Sequence, residues 1–326
     1  MTAHQNPYQA ATQAVACFVI PLGGFLRVGG KDRLDFLQRQ TTNDLRQVQD
    51  GRAVLSVLTT PAARIMDVLY VLPGPDELDL ITLPGRGEST ARYFKSRIFF
   101  MDQVSLADAS AEMVQVDLVG PDVPNILVRL GVDPALQPGR LAGGAFGGRS
   151  LQALALEPTF GLGVRLLLPV SDLDAFTAFL TQAGVARLQD EDYSLLRLEA
   201  GLPAPGAELS EEYTPLEAGL AAAVSGAKGC YTGQEVIARQ ITYDKVTQHL
   251  CGLRLGQQAQ PGGRVWAIDG SPVGKVTSAR TSPRFGEIAL AVVKRPNHEP
   301  GSAVKVGETF QSAVQAQVVS LPFRLD

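Results

Sequence analysis

Beyond about residue 250 the chain carries no helical period. Cys251, Leu253 and Leu255 alternate with Gly252 and Arg254, while Gly262-Gly263 and Asp269-Gly270 are hairpin signals. Residues 288–293 and 312–321 are further strand-like runs. A two-residue period broken by tight turns turns one side of each strand inward and the other outward, which commits this tail to β-structure. The boundary falls near 245–250. It leaves a mixed α/β part over residues 1–246 and a smaller β-rich part over residues 247–326.

The larger part alternates between the two periods. Leu34, Leu37, Thr41, Leu45 and Val48 lie on one helical face after Gly29-Gly30, with charged and amide residues opposite. Strands are expected over 53–58, 65–72 and 78–83, then a helix over 88–99 with Ala91, Phe94 and Ile98 inward. A short strand follows over 114–119, and residues 136–149 are dominated by Gly and Pro turns. A strand at 165–168 leads to a helix with Ser171 as N-cap, Asp174 at the capping-box position, and Leu173, Phe176, Leu180 and Ala183 as its apolar stripe; Gly184 stops it. Residues 190–200 read as another helix, ended by Gly201 and Pro203. At 326 residues and 45% hydrophobic, the chain has enough apolar material for about two domains.

Charge and cysteine usage exclude several classes. The net charge of −4 argues against broad non-specific binding to nucleic acid, though not against a local basic groove. Three cysteines, Cys17, Cys230 and Cys251, form no CxxC pair, so a disulfide framework is not expected and a reducing interior is. The three histidines are scattered and make no zinc motif; no metal site is expected. Residues 14–26 are an uncharged apolar run. A signal peptide requires Lys or Arg ahead of such a run, and here the first is Arg27; Pro21 and Gly23-Gly24 interrupt any membrane span. The run reads as a buried strand and turn, and the protein as cytoplasmic, with no membrane partner.

The segment richest in chemistry is KGCYTGQEVIAR, residues 228–239. Thr232 and Glu235 have capping-box spacing ahead of apolar Val236 and Ile237, which places Cys230 just before a helix N-terminus and two residues from Lys228. A positive helix end and a nearby ammonium both stabilise a thiolate. The competing reading is a small buried cysteine beside an ordinary cap. No histidine stands where a Cys–His pair needs one.

KGCYTGQEVIAR resembles the signature of the YgfZ family, folate-binding proteins implicated in iron–sulfur enzyme maintenance and tRNA modification, which are related to the aminomethyltransferase (T-protein) of the glycine cleavage system. The likeness rests on adjacent positions Lys228 to Glu235. It extends to RLEAGLPAPGAELSEEYTPLEAGL (197–220) and to FLRVGGKDRLDFLQRQTTNDL (25–45), while residues 105–165 contribute little. The resemblance implies an α+β, T-protein-like folate-binding fold: two interleaved α/β subdomains and a C-terminal β-barrel-like domain. It also implies tetrahydrofolate or a derivative as ligand.

A pterin offers two donors side by side, which one carboxylate accepts together. The resemblance points to Glu199, whose alternative role is a helix-end carboxylate. Tyr193 matches a position where relatives carry a ring, and Phe25 lies near another; either is otherwise core. Arg239 is the candidate for the glutamate tail, against a solvated helix residue. Asp67, in ARIMDVLYV, resembles the region where aminomethyltransferases place a catalytic acid, against a strand-end Asp in a turn. On this reading Cys230 is the reactive group and Lys228 tunes it. The protein is then an accessory factor without classical catalytic activity. It supports assembly or repair of iron–sulfur clusters in client enzymes, such as those that thiolate tRNA, with a cluster held only transiently, since one thiolate supplies one of about four ligands. Its partners are folate and client or assembly proteins, with no strong direct grip on nucleic acid. The alternative is a tetrahydrofolate-dependent aminomethyltransferase or demethylase, which needs an acid such as Asp67 and no cysteine.

Overall fold

The computed structural model describes residues 6–325. Two compact units share the chain. The first is built from the chain up to Thr59, Asp67–Tyr193 and Ala222–Thr232; the second from Thr60–Met66, Ser194–Ala221 and the chain from Gly233 onward.

The first unit contains two sheets. One has six strands in the order Ala186–Arg187, Ala16–Val19, Met113–Val119, Val164–Pro169, Arg149–Ala155 and Leu141–Phe146. All its pairings are antiparallel except that of the first two. Ile126 and Leu127 from the helix Val123–Arg129, and Phe176 and Leu180 from Leu173–Gln182, bury against Val116, Leu118 and Leu166 of this sheet. The other sheet runs Val54–Thr59, Ile65–Pro73, Leu78–Thr82, Gly24–Gly29 and Ser105–Asp108. Every residue of Val54–Thr59 is buried, Ser56 and Thr59 included, which explains why its sequence shows no two-residue alternation. Helices Arg33–Gln40 and Gly87–Lys95 meet through Phe36 and Phe94, edge to face at 5.9 Å.

The apolar run at 14–26 folds as a strand, a turn through Pro21 and Leu22, and a second strand. Among the described residues no helix is long and apolar enough to cross a membrane. Three sequence expectations shift. The helical period from Leu34 to Val48 ends at Gln40, and only a short 3-10 turn, Leu45–Gln47, follows. Thr41 and Thr42 are β-branched, and the Asn43 and Asp44 side chains accept from the backbone N–H groups of Asp44 and Arg46, so the side chains compete with helix formation there. Residues 136–149 hold a strand, Leu141–Phe146, whose glycines hide the period and whose register comes from Arg149–Ala155. Ser171 lies inside a 3-10 turn, Val170–Asp172, and the helix after it has Asp172 at its N-cap without a side-chain cap bond.

The second unit is dominated by a closed six-stranded barrel, in the order Gln248–Leu255, Gly286–Lys294, Pro272–Ser282, Arg264–Trp266, Ala303–Gly307 and Val314–Val319. Small and β-branched residues such as Val265, Val276, Ala289, Ala291, Val293, Val304 and Val318 fill its interior, as the narrow bore of a six-stranded barrel requires. Ile288 and Leu290 belong instead to a second cluster with Leu198 and Phe323. The end of the helix Asp190–Glu199 and the C-terminal tail therefore cover that stretch of barrel wall, tied by a Phe323 N–H to Glu199 carbonyl bond of 2.9 Å. Residues before and after position 246 thus pack together on this wall, which earlier chain covers.

Candidate functional site

In the first unit, the segment around Cys230 is stitched to the loop that follows the helix Arg33–Gln40. The Thr42 hydroxyl donates to the Ala223 carbonyl at 2.7 Å, and the Ser225 N–H donates to the Thr42 carbonyl at 3.0 Å. The Lys228 ammonium reaches back into that loop. It donates to the carbonyls of Gln38, Thr41 and Asn43 at 2.7, 2.6 and 2.7 Å, which satisfies all three of its N–H donors at a helix C-terminus. Burial pushes it down to about 8, against the pull of Asp44. On the far side of the cysteine, the Thr59 hydroxyl holds the Thr232 carbonyl at 2.7 Å, and Tyr231 is buried beneath the Lys228 ammonium, 5.0 Å from its ring centre. Cys230 itself is exposed, whereas Cys17 and Cys251 are buried. The fold thus presents one thiol from a loop pinned on both sides. Lys228 acts on that loop as an anchor, with its donors committed to carbonyls.

The helix Gln234–Thr242 begins without the expected capping box. Gly233, at φ 85°, takes the N-cap position and no side chain caps it. This left-handed conformation is open to glycine and strained for Thr, so the cap falls one residue after Thr232. Glu235 instead pairs with Arg239 at 2.6 Å, both on the exposed face of the helix.

Three other candidates of the first unit are interior. Phe25 is 2% exposed in the strand Gly24–Gly29, which is the core role rather than that of a ring presented to a ligand. Asp67 is fully buried in the strand Ile65–Pro73. Its carboxylate accepts from the Thr90 hydroxyl at 2.5 Å and from the N–H groups of Val68 and Leu83 at 2.8 and 3.0 Å, and desolvation still pushes it up to about 7. Tyr193 stacks on Phe18 at 4.2 Å and donates its hydroxyl proton to Asp117 at 2.6 Å. Asp117 also receives a bidentate bond from Arg165, at 2.7 and 2.9 Å. Sequence reasoning passed over Asp117 and Arg165; the available signal was two opposite charges inside strand-like apolar runs, which the register makes direct cross-strand partners.

In the second unit, the strand Pro272–Ser282 is flanked by three acids from one preceding segment. Ser282 donates to Glu199 at 2.5 Å, Ser278 donates to Glu208 at 2.8 Å, and Lys275 pairs with Glu212 at 3.0 Å. Positions 275 and 278 lie on opposite faces of a regular strand. A register shift between Val276 and Ser278 brings them to one side. Arg197 completes the middle rung, donating to Ser278 at 2.7 Å and lying 3.4 Å from Glu208. Glu199 is 5% exposed, with the Arg284 guanidinium 3.6 Å from its second oxygen. It ends its helix because Gly201, at φ 72°, turns the chain where a side chain would strike Leu321. The second Glu-Ala-Gly-Leu block places Glu217 differently. Its carboxylate accepts from the Thr214 N–H at 2.9 Å and lies 3.4 Å from Arg64, which commits it to its own turn. Among the described residues no group of three or more His, Cys, Asp or Glu is arranged to hold a metal ion.

The seven sequence candidates divide between the units: Phe25, Asp67, Tyr193, Lys228 and Cys230 fall in the first, Glu199 and Arg239 in the second. The chain matches the GCVT N-terminal domain over residues 2–228 and the glycine cleavage T-protein C-terminal barrel domain over residues 248–324.

The chain belongs to the glycine cleavage T-protein family.

Within that family it is 32% identical over 301 residues to a chloroplastic protein of Arabidopsis thaliana that bears a transferase name, covering 89% of this chain and 68% of the relative. It is 29% identical over 333 residues to an aminomethyltransferase of Geobacillus kaustophilus, covering 98% and 90%. The crystal structure of the glycine cleavage system aminomethyltransferase T from Bartonella henselae shares the family fold with a TM-score of 0.85, at 21% identity, over 98% of this chain and 88% of that one. The barrel expected from the sequence is the family's C-terminal barrel. The family assignment also supplies the T-protein fold as the context for Glu199 and Cys230.

Proposed function

We propose that this T-protein family member binds a reduced folate through Glu199 and serves as an accessory factor to iron–sulfur enzymes, among them tRNA-thiolating ones, with Cys230 as its reactive group. The observation that carries this reading is the exposed Cys230 thiol on a loop immobilised by Lys228 and Thr232. A thiol held out and fixed in position suits exchange with a partner's sulfur or transient ligation of a cluster that the partner completes.

Glu199 fits a pterin edge. One carboxylate accepts two parallel donors, and the Ser282 bond holds this one in orientation. A bound folate supplies a one-carbon carrier; Glu199 orients it, and Arg284 offsets the buried charge. The transferase alternative draws on relatives named aminomethyltransferases. It asks Asp67 to meet substrate, whereas three donors enclose that carboxylate.

Two measurements test the proposal. Calorimetric titration with tetrahydrofolate or folinic acid should show saturable binding, weakened at least about tenfold by Glu199→Gln at an unchanged melting temperature; absence of binding to the native protein overturns the folate reading. In cells lacking the native protein, Cys230→Ala should fail to restore thiolated tRNA bases. Full restoration removes the thiol role, and methylene-folate formation from an aminomethyl donor replaces it with transfer.

A further inference from the structure

The outer wall of the barrel is covered on one side and open on the other. Where Ile288 and Leu290 face outward, Leu198 and Phe323 cover them. Further round, the strands Gly286–Lys294, Pro272–Ser282, Arg264–Trp266 and Ala303–Gly307 are consecutive neighbours, and each contributes a cation: Lys294, Lys275, Arg264 and Lys305. Register puts them on the outward face. Arg264 is directly opposite Lys275, Lys305 is opposite Trp266, and the alternate residues Val265, Val293, Val304 and Val306 fill the barrel interior. Like charges on directly opposed residues repel, so the arrangement works against the free barrel. Of the four, Lys275 alone is ion-paired among the described residues, to Glu212.

The stripe borders an open cleft of about 560 Å³ lined by Arg264, Lys275 and Lys294 with Gln248, Tyr213 and the acid Glu212 that pairs Lys275. Two half-buried aromatic rings stand at its other end. Trp266 is held by its indole N–H to the Gly307 carbonyl at 3.0 Å and meets Phe310 edge-on at 6.4 Å. Arg264 lies 5.8 Å from the Trp266 ring and Lys305 4.3 Å from the Phe310 ring.

We infer that this face of the barrel binds single-stranded nucleic acid, with Lys294, Lys275 and Arg264 on phosphates at the cleft, Lys305 on a further phosphate, and Trp266 and Phe310 as the stacking platform. Cations that track a backbone beside rings that stack bases are the two elements of sequence-tolerant single-strand binding. The overall charge of −4 describes the whole surface, and this stripe is the local basic groove that such a total leaves room for. The site is independent of Glu199 and Cys230.

The test is fluorescence anisotropy of a labelled twelve-nucleotide oligouridylate, with oligothymidylate alongside. Saturable binding in the micromolar range at 50 mM salt is expected, weakening roughly 20- to 50-fold at 200 mM as three to four counterions are released. Lys275→Glu with Lys294→Glu should weaken it more than about tenfold, Trp266→Ala should weaken it with the salt slope unchanged, and Glu212→Gln should tighten it, a gain that damage to the fold does not produce. Lys275→Gln with Lys294→Gln, checked by thermal melting, serves if the charge reversals do not fold. No saturable signal up to about 100 μM, unchanged affinity in folded variants, or equal displacement by polyglutamate of the same charge would each overturn the assignment.

Discussion

The Lys228 ammonium donates to the Thr41 carbonyl at 2.6 Å, closing the C-terminal end of a helix that precedes it by almost two hundred residues. With the carbonyls of Gln38 and Asn43 it completes a cage of three acceptors around one nitrogen. The cysteine two residues later owes its position to this contact. Lys228→Met should therefore lower stability by about 2–4 kcal/mol, because carbonyls that were paired to a charge lose it together. Lys228→Arg should not restore it, since a planar fork does not fit a cage built around a point charge. Urea denaturation measures both.

Alkylation separates the three thiols. Cys230 is exposed, while burial encloses Cys17 and Cys251 and pushes them up to about 11 and about 12. Iodoacetamide at neutral pH should add one group to the folded protein, at Cys230, and three after denaturation. Peptide mass mapping that finds native modification at Cys17 or Cys251 would contradict this burial.

Asp117→Ala should cost about 3–5 kcal/mol, because it leaves the Arg165 guanidinium buried without its bidentate partner. Tyr193→Phe removes one bond to the same carboxylate and should cost about 1.5–3 kcal/mol. The double change should fall short of the sum, since both remove the same interaction. Chemical denaturation of the three variants reads the coupling.

Asp67 makes stability depend on pH. Burial raises it to about 7 from the ordinary 3.8, so between these values the native state holds a proton that the unfolded chain releases. Its contribution to stability is complete below the lower value and is lost as pH rises through about 7. Asp67→Asn should flatten the decline between pH 5 and pH 8, by roughly 3 kcal/mol at the upper end. Thermal melts across that range, compared with the native chain, show whether the slope disappears.

Reading the sequence located the β-rich tail, the buried run at 14–26 and most strands of the first unit, because each leaves a local period. Residues 141–146 left none, as their glycines carry no side chains to alternate. Thr232 and Glu235 had the spacing of a capping box, yet Gly233 takes the cap, since the left-handed backbone there favours glycine. Glu199 could be singled out only through motif likeness, whereas Cys230 was also marked by Lys228 and the helix start beside it; their settings depend on Ser282 and on the carbonyls that hold Lys228, which are remote in sequence.

By itself the sequence determined which faces are apolar, where helices give way to strands, and that one cysteine sits in an unusual motif. These properties follow from residues a few positions apart. Only tertiary structure decided that Lys228 anchors a loop, that Asp67 and Phe25 are enclosed, and that acids from residues 199–212 flank one barrel strand. It also decided that four cations from separate strands form one stripe. Hydrogen bonds and charges join whichever groups the fold brings within about 3 Å, and strand register, set across the barrel, is not written in any one segment.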